Sequence, residues 1–268
     1  MTESGVRGSE IVAPVSVVIP CWRSSATIER AVASVAAQTL RPAEVLLIDD
    51  ASGDTTLETL HRVAAAYPLG WVKVLCLSQN AGPGGARNAG WAQARQPWIA
   101  FLDADDAWHP QKIEIQFTWL QAHPEVILCG HDTKVALGEG LYPVVSTQPR
   151  AWRVSFFHML ISNRFLTRSV MLRRDMPFRF ENWRHSEDYL LWLRIVLAAQ
   201  PCYRLEAPLA VSFRADASVG GLSGQLWRHE KQELRAWLTL HQQSAISTFT
   251  TVIALAWSLI KYVRRALR

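Results

Sequence analysis

Apolar residues in the first half of the chain follow two alternating patterns. One is a short, unbroken run rich in β-branched side chains: VSVVIP (Val15–Pro20), AEVLLIDD (Ala43–Asp50), WVKVLCLS (Trp71–Ser78) and WIAFLDA (Trp98–Ala104). Runs this short and this uniformly apolar predict strands buried on both faces. The other has helical spacing. Ile28, Val32, Val35 and Ala36 share a face between the first two runs, and Leu57, Leu60 and Ala64 between the next two. Asp54 is placed to cap the second of these helices, and Pro68 follows its end. GGARNAGWAQAR (Gly84–Arg95) and PQKIEIQFTWLQAH (Pro110–His123) read as two more helices, the latter with Pro110 in its first turn, and VILCG (Val126–Gly130) as a fifth strand. Strand and helix in alternation predict a mostly parallel sheet flanked by helices, and in such α/β sheets ligands bind beyond the carboxyl ends of the strands.

Beyond about residue 135 the pattern loosens. Pro, Gly and Ser interrupt it as far as Gln148. A basic and aromatic stretch follows, then a helix (Ser186–Gln200), a strand (Pro208–Arg214) and a Gly/Ser loop (Ala215–Gly224). The chain divides into a polar leader (1–12), a ligand-binding half (13–134), a second half of the same domain (135–225) and C-terminal helices (226–268). The leader has no apolar core of the signal-peptide kind, which leads to an expectation of cytoplasmic location.

Composition adds limits. The chain has 268 residues, 49% of them hydrophobic, which is enough for one large domain. Its 28 Lys and Arg against 23 Asp and Glu give a mild +5. Basic residues concentrate between Arg150 and Arg184 and in the tail, where Lys261, Arg264, Arg265 and Arg268 fall in the last eight positions. Both groups could meet anionic lipid, a phosphorylated ligand or only water. Cys21, Cys76, Cys129 and Cys202 form no CxxC pair and no Cys/His cluster, so they read as reduced core residues and a zinc site is not expected.

The chemistry-bearing residues sit at strand ends. FLDADDAWHP carries Asp103, Asp105 and Asp106 straight after an apolar run. In an extended segment Asp103 and Asp105 would point to one side, roughly 6–7 Å apart. Hard divalent cations take one or two such carboxylates together with phosphate oxygens. The plainer reading has Asp105 or Asp106 capping the next helix. Asp49 and Asp50 end the second strand, either as turn-capping groups or as acceptors for a nucleobase or ribose. GPGGARN (Gly82–Asn88) matches neither the dinucleotide fingerprint nor a P-loop, but its Arg87 could reach a diphosphate with its planar fork. Glu187 and Asp188 open a helix, where acids suit the dipole and where one could equally serve as a general base.

Taken together, these stretches resemble the family 2 glycosyltransferases of the GT-A fold. The resemblance runs from about Val15 to Leu222. Residues 15–56 are similar to the family's opening, 80–106 to its central block with the DxD motif, and SEDYLLWLR (Ser186–Arg194) to its ED motif. It implies that Pro20 and Cys21 lie beside the nucleotide, where the family more often has Thr or Ala at Cys21 and Tyr or Phe at Trp22. It implies that Asp49 or Asp50 holds the base, and that Arg87 lies near the diphosphate. Asp103 and Asp105 would hold Mn²⁺ or Mg²⁺ and the sugar nucleotide. Asp188 would be the catalytic base, with Glu187 on the acceptor side. The implied activity is inverting transfer of a sugar from a nucleoside diphosphate to a hydroxyl of a glycan or lipid-linked acceptor, in cell-surface polysaccharide synthesis.

Ala245–Ile260 is a run of 16 uncharged residues, shorter than the roughly 20 that a spanning helix needs. With basic residues following, and with Trp257 and Tyr262 as interface anchors, it reads as a helix on the cytoplasmic membrane face; packing on the domain or a partner subunit is the alternative. Two other classes remain open: a sugar-nucleotide or glycan binding module without turnover, and a membrane-associated scaffold. The acidic sheet edge argues against nucleic acid. Neither the donor sugar, the base, the acceptor nor the linkage can be read; the residues setting them are expected within Val135–Arg184 and Asp216–Gly224, with Arg214 and Ser218 as candidate phosphate contacts.

Overall fold

The structure, a computed structural model, describes residues 12–136, 142, 144–184, 186–213 and 222–267. The loop residues Arg214 and Ser218 lie outside these, as does the leader apart from Val12, which begins the first strand.

The four apolar runs form β1 (Val12–Cys21), β2 (Arg41–Asp49), β3 (Val72–Cys76) and β4 (Trp98–Phe101). Between them lie α1 (Ile28–Ala36), α2 (Thr56–Ala65) and α3 (Gly82–Gln93). Next come β5 (Asp106–Trp108), α4 (Lys112–Ala122), β6 (Leu128–Val135), β7 (Ala151–Arg153), α5 (Phe156–Ile161), β8 (Met171–Arg173), α6 (Glu187–Leu197) and β9 (Cys202–Ser212). Two long helices, α7 (Leu222–Gln242) and α8 (Thr248–Ala266), close the chain.

Among the described residues, all nine strands join one sheet in the order β3-β2-β1-β4-β8-β6-β9-β5, with β7 also on β9. The parallel expectation holds for β3, β2, β1 and β4, and again for β6 with β9. The pairs β4–β8, β6–β8, β5–β9 and β7–β9 are antiparallel, so the second half of the sheet is mixed.

Both faces are covered, as unbroken apolar strands require. Along β1, Val15, Val17, Ile19 and Cys21 enter a core with residues of α1, α2 and α4, whereas Val18 enters a second core with α3, α6 and α7. Helix α3 lies so close to the sheet that a Cβ on Gly90 would stand 2.4 Å from Val18 Cγ1.

Several local expectations need correction. Thr55, not Asp54, occupies the cap position of α2; Asp54 stands one residue earlier and accepts from Thr56 N at 2.9 Å. Pro110 precedes α4 rather than entering its first turn, because the cap is Gln111. Cys21, Cys129 and Cys202 are buried and free, but Cys76 is exposed at the end of edge strand β3. Much of the Arg150–Arg184 charge is used internally: Arg173 donates to Pro124 O, Arg184 to Asn80 Oδ1 and Arg168 to Asp106.

Candidate active site

The carboxyl ends of β1, β2 and β3 share one edge, with Cys21 opposite Asp49 and Asp49 opposite Cys76. Strand β4 ends beside them and delivers Asp103. Residues 103–106 are not extended, as the spacing argument assumed. They form a tight turn in which Asp106 N donates to Asp103 O at 3.1 Å, and Asp106 opens β5 instead of capping a helix. The turn is held on its far side by α1, where Arg30 donates to Asp105 O at 2.8 Å.

Arg87 gathers the acidic groups. It lies in the second turn of α3, buried, with one guanidinium nitrogen 2.7 Å from Asp103 and another 3.0 Å from Glu187. The ring of Phe180 backs it, with its centroid 5.4 Å away. Gly84 makes this approach possible: a Cβ there would sit 2.7 Å from Glu181 O and 3.0 Å from Glu187 Cγ. Ser186, the residue before α6, has φ +58°, a left-handed conformation that non-glycine residues rarely adopt. Such strain is held at a site that the surrounding structure over-determines.

Asp188 is half-buried. Its carboxylate accepts from Thr167 Oγ1 at 3.1 Å and from Tyr189 N at 2.7 Å. Burial pushes the carboxyls of Asp188 and Glu187 up, and in both cases Arg87 opposes that rise. A carboxylate whose pKa is drawn upward is a better proton acceptor near neutrality. Sequence reasoning missed a second cation, Arg168, which pairs with Asp106 at 2.7 Å and stands 4.0 Å from Asp103. Burial also raises the Asp106 carboxyl, to about 6, with Asp103 adding repulsion and Arg168 working against it.

The nucleotide-side expectations are placed as follows. Asp49 is buried, accepting from Ser52 Oγ at 2.5 Å and from the Cys76 thiol at 3.6 Å. Asp50 accepts from Ala81 N at 2.7 Å and so fastens the start of α3 to the end of β2. Cys21 turns its thiol into the core, donating to Ile19 O, and burial pushes it up to about 12. Only the backbone of Cys21 therefore faces the sheet edge, while Trp22 is exposed there and Pro20 is half-buried.

Among the described residues no group of three or more His, Cys, Asp or Glu could hold a metal by itself. The donor set does fit the mode in which a hard cation takes one or two carboxylates and fills its shell with phosphate oxygens. Asp103 is partly open to solvent, and Arg87 bonds one of its oxygens while the other is 4.0 Å from Arg168.

The acidic turn at the carboxyl edge of the sheet thus stands near the start of a helix that opens with Glu-Asp, the two joined through Arg87. The sequence matches the model of glycosyl transferase family 2 over residues 16–181, and the chain belongs to that family. It is 42% identical over 102 residues to the succinoglycan biosynthesis protein ExoO of Rhizobium meliloti, covering 38% of this chain and 28% of that protein. It is 29% identical over 184 residues to WfgD of Escherichia coli, a UDP-Glc:alpha-D-GlcNAc-diphosphoundecaprenol beta-1,3-glucosyltransferase, covering 68% of this chain and 69% of that one. The fold superposes on residues 1–349 of S. aureus TarS in complex with UDP-GlcNAc, with TM-score 0.68 and 19% identity, over 91% of this chain and 71% of that chain. It also superposes on the mannosyltransferase PcManGT from Pyrobaculum calidifontis in complex with GDP-Man and Mn²⁺, with TM-score 0.65 and 17% identity, over 97% and 79%.

Proposed function

We propose that this chain transfers a sugar, with inversion, from a nucleoside diphosphate to a hydroxyl of a glycan or lipid-linked acceptor in cell-surface polysaccharide synthesis. The observation that carries the reading is Arg87 joining Asp103, from the turn after β4, to Glu187, from the start of α6. That link brings the expected donor side and the expected acceptor side within one arginine of each other.

Asp188 takes the proton of the acceptor hydroxyl as its oxygen attacks the anomeric carbon. The bond from that carbon to the diphosphate oxygen breaks, and its electrons leave with the nucleoside diphosphate. Thr167 orients the Asp188 carboxylate through its hydroxyl. Glu187 keeps Arg87 aligned beside the leaving group. Asp49 or Asp50, with the backbone at Pro20 and Cys21, holds the nucleoside. Asp103 and Asp105 would hold Mn²⁺ or Mg²⁺, which when bound supplies Lewis-acid stabilisation of the departing diphosphate. The relative that acts on a diphosphoundecaprenol-linked sugar supports a lipid-linked acceptor. Such an acceptor would place the protein peripherally on the inner face of the plasma membrane. No helix among the described residues is long and apolar enough to cross a membrane, which is compatible with that placement.

The test is calorimetric binding of UDP, GDP and TDP, each with and without Mn²⁺, to the wild type and to Asp105→Asn. Metal-dependent binding of one diphosphate, lost in the variant, is expected and names the donor class. Failure of all three to bind folded protein in the presence of metal would sink the reading.

A further inference from the structure

We propose that α7 and α8 form a docking surface for an anionic phospholipid bilayer, with α8 lying flat upon it. The inference deepens the peripheral placement proposed above. It uses no residue of the transfer site, so the two can fail separately.

Charge is the first observation. Residues 222–268 hold seven Lys and Arg against two Asp and Glu, whereas residues 1–221 hold 21 of each. The whole formal +5 of the chain therefore belongs to this C-terminal segment, with six of its seven cations and both acids on α7 and α8. Orientation is the second. The side of α8 that packs inward presents Thr251, Ala254 and Ser258, all buried, and Ser258 donates to the buried Glu230 of α7 at 2.6 Å. The bulky apolar residues face outward: Phe249, Val252, Ile253, Ile260, Val263 and Leu267 are 41–83% exposed. They recur at three- and four-residue steps, so they form one stripe along a helix about 28 Å long. A helix that serves only its own domain carries the opposite pattern, with the apolar stripe turned in.

The stripe and the charge belong together. Lys261 pairs with Glu233 and Arg265 with Glu230, which holds the two helices together and spends the only two acids of the segment. Arg228, Lys231, Arg235 and Arg264 add cations that this pairing does not cancel. Trp227 and Tyr262 meet at 5.4 Å, and Lys231 lies over the Trp227 ring. Amphipathic aromatics beside cations, next to an exposed apolar stripe, fit the zone between lipid headgroups and acyl chains. A second copy of the chain would bring the same positive charge to the interface, and a nucleic acid would have no use for the stripe.

The full chain should be sedimented with phosphatidylcholine vesicles and with vesicles that also contain phosphatidylglycerol, at low and high salt. Capture by the anionic vesicles alone, weakened by salt, is expected. Arg264→Gln should weaken it about five-fold. The double variant Ile253→Asp, Ile260→Asp should lose it while its thermal melt stays as in the wild type. No capture by either vesicle, or equal capture by both, would overturn the proposal. So would a concentration-dependent dimer that the same double variant abolishes, which would assign the face to a second copy.

Discussion

Replacing Arg87 with Met removes the cation shared by Asp103 and Glu187 while keeping most of the side chain's volume. The Arg87 and Glu187 side chains are each 7% exposed and Asp103 is 27% exposed. Taking one partner from a buried pair costs about 3–5 kcal/mol. Solvent reaching Asp103 screens that half of the interaction, so the lower figure, about 3 kcal/mol, applies here. For a domain of this size the loss corresponds to about 6–12 °C in Tm. The deficit has a definite pH dependence. Glu187 and Asp188 already have carboxyls raised by burial, with Arg87 opposing. Without Arg87 both rise further above their unfolded values. A raised carboxyl destabilises the folded state above the unfolded pKa, and this penalty disappears as pH falls through the folded pKa. Melts of wild type and Arg87→Met, followed from about pH 8 down to about pH 5, should therefore converge as the solution becomes more acidic. Arg87→Lys keeps the charge without the fork and should fall between them. A gap that stays constant with pH, or a loss under about 2 °C, would refute this account of the cluster.

Three further outcomes follow from other parts of the structure. Gly90→Ala should cost about 1–3 kcal/mol by chemical denaturation, because its Cβ would meet Val18 at 2.4 Å and Ile48 at 3.1 Å; a neutral result would mean that α3 can shift off the sheet. Asp188→Asn should cut the transfer rate by about 10²–10⁴-fold and leave calorimetric nucleotide binding unchanged, whereas a binding module without turnover would show no rate to lose. Lys112 is buried over the Trp108 ring, its Nζ makes no hydrogen bond among the described residues, and burial holds its pKa well below the usual amine range. Wild-type stability should then climb as pH rises toward the unfolded lysine value near about 10.4, and in Lys112→Met urea melts should show that climb flattened.

The elements legible in the sequence are those whose evidence is local. Strands β1–β4 and helices α1–α3 each carry their own periodicity, and each appears in the structure. What could not be read depends on partners far along the chain. Strand β5 is three residues long and exists because Asp106, Ala107 and Trp108 pair with Ser212, Val211 and Ala210 of β9. Its sequence therefore looks like nothing but the approach to a helix. The same holds for Arg168. Nothing near it in sequence suggests an acidic neighbour, and it reaches Asp106 because β8 lies antiparallel against β4. Asp103, Glu187 and Asp188 were visible as motifs, but the arginine link between them was not, since Arg87 and Glu187 are 100 residues apart. Cys76 misled because a strand that ends an apolar run reads as core, whereas β3 lies at the edge of the sheet.

Three parts of the chain meet at a single residue of β9. Ser212 stands opposite Asp106 on one side and Val135 on the other, so the exit of the acidic turn, the end of β6 and the end of β9 arrive abreast. The segments that follow Val135 and Ser212 leave from one rim, while the strands behind them are locked in a shared sheet. Descendants of such a scaffold can lengthen or exchange those two segments without disturbing the register that sets Asp103 and Arg87. Grafting both segments from a relative should therefore leave the pairing of β5, β6 and β9 in place.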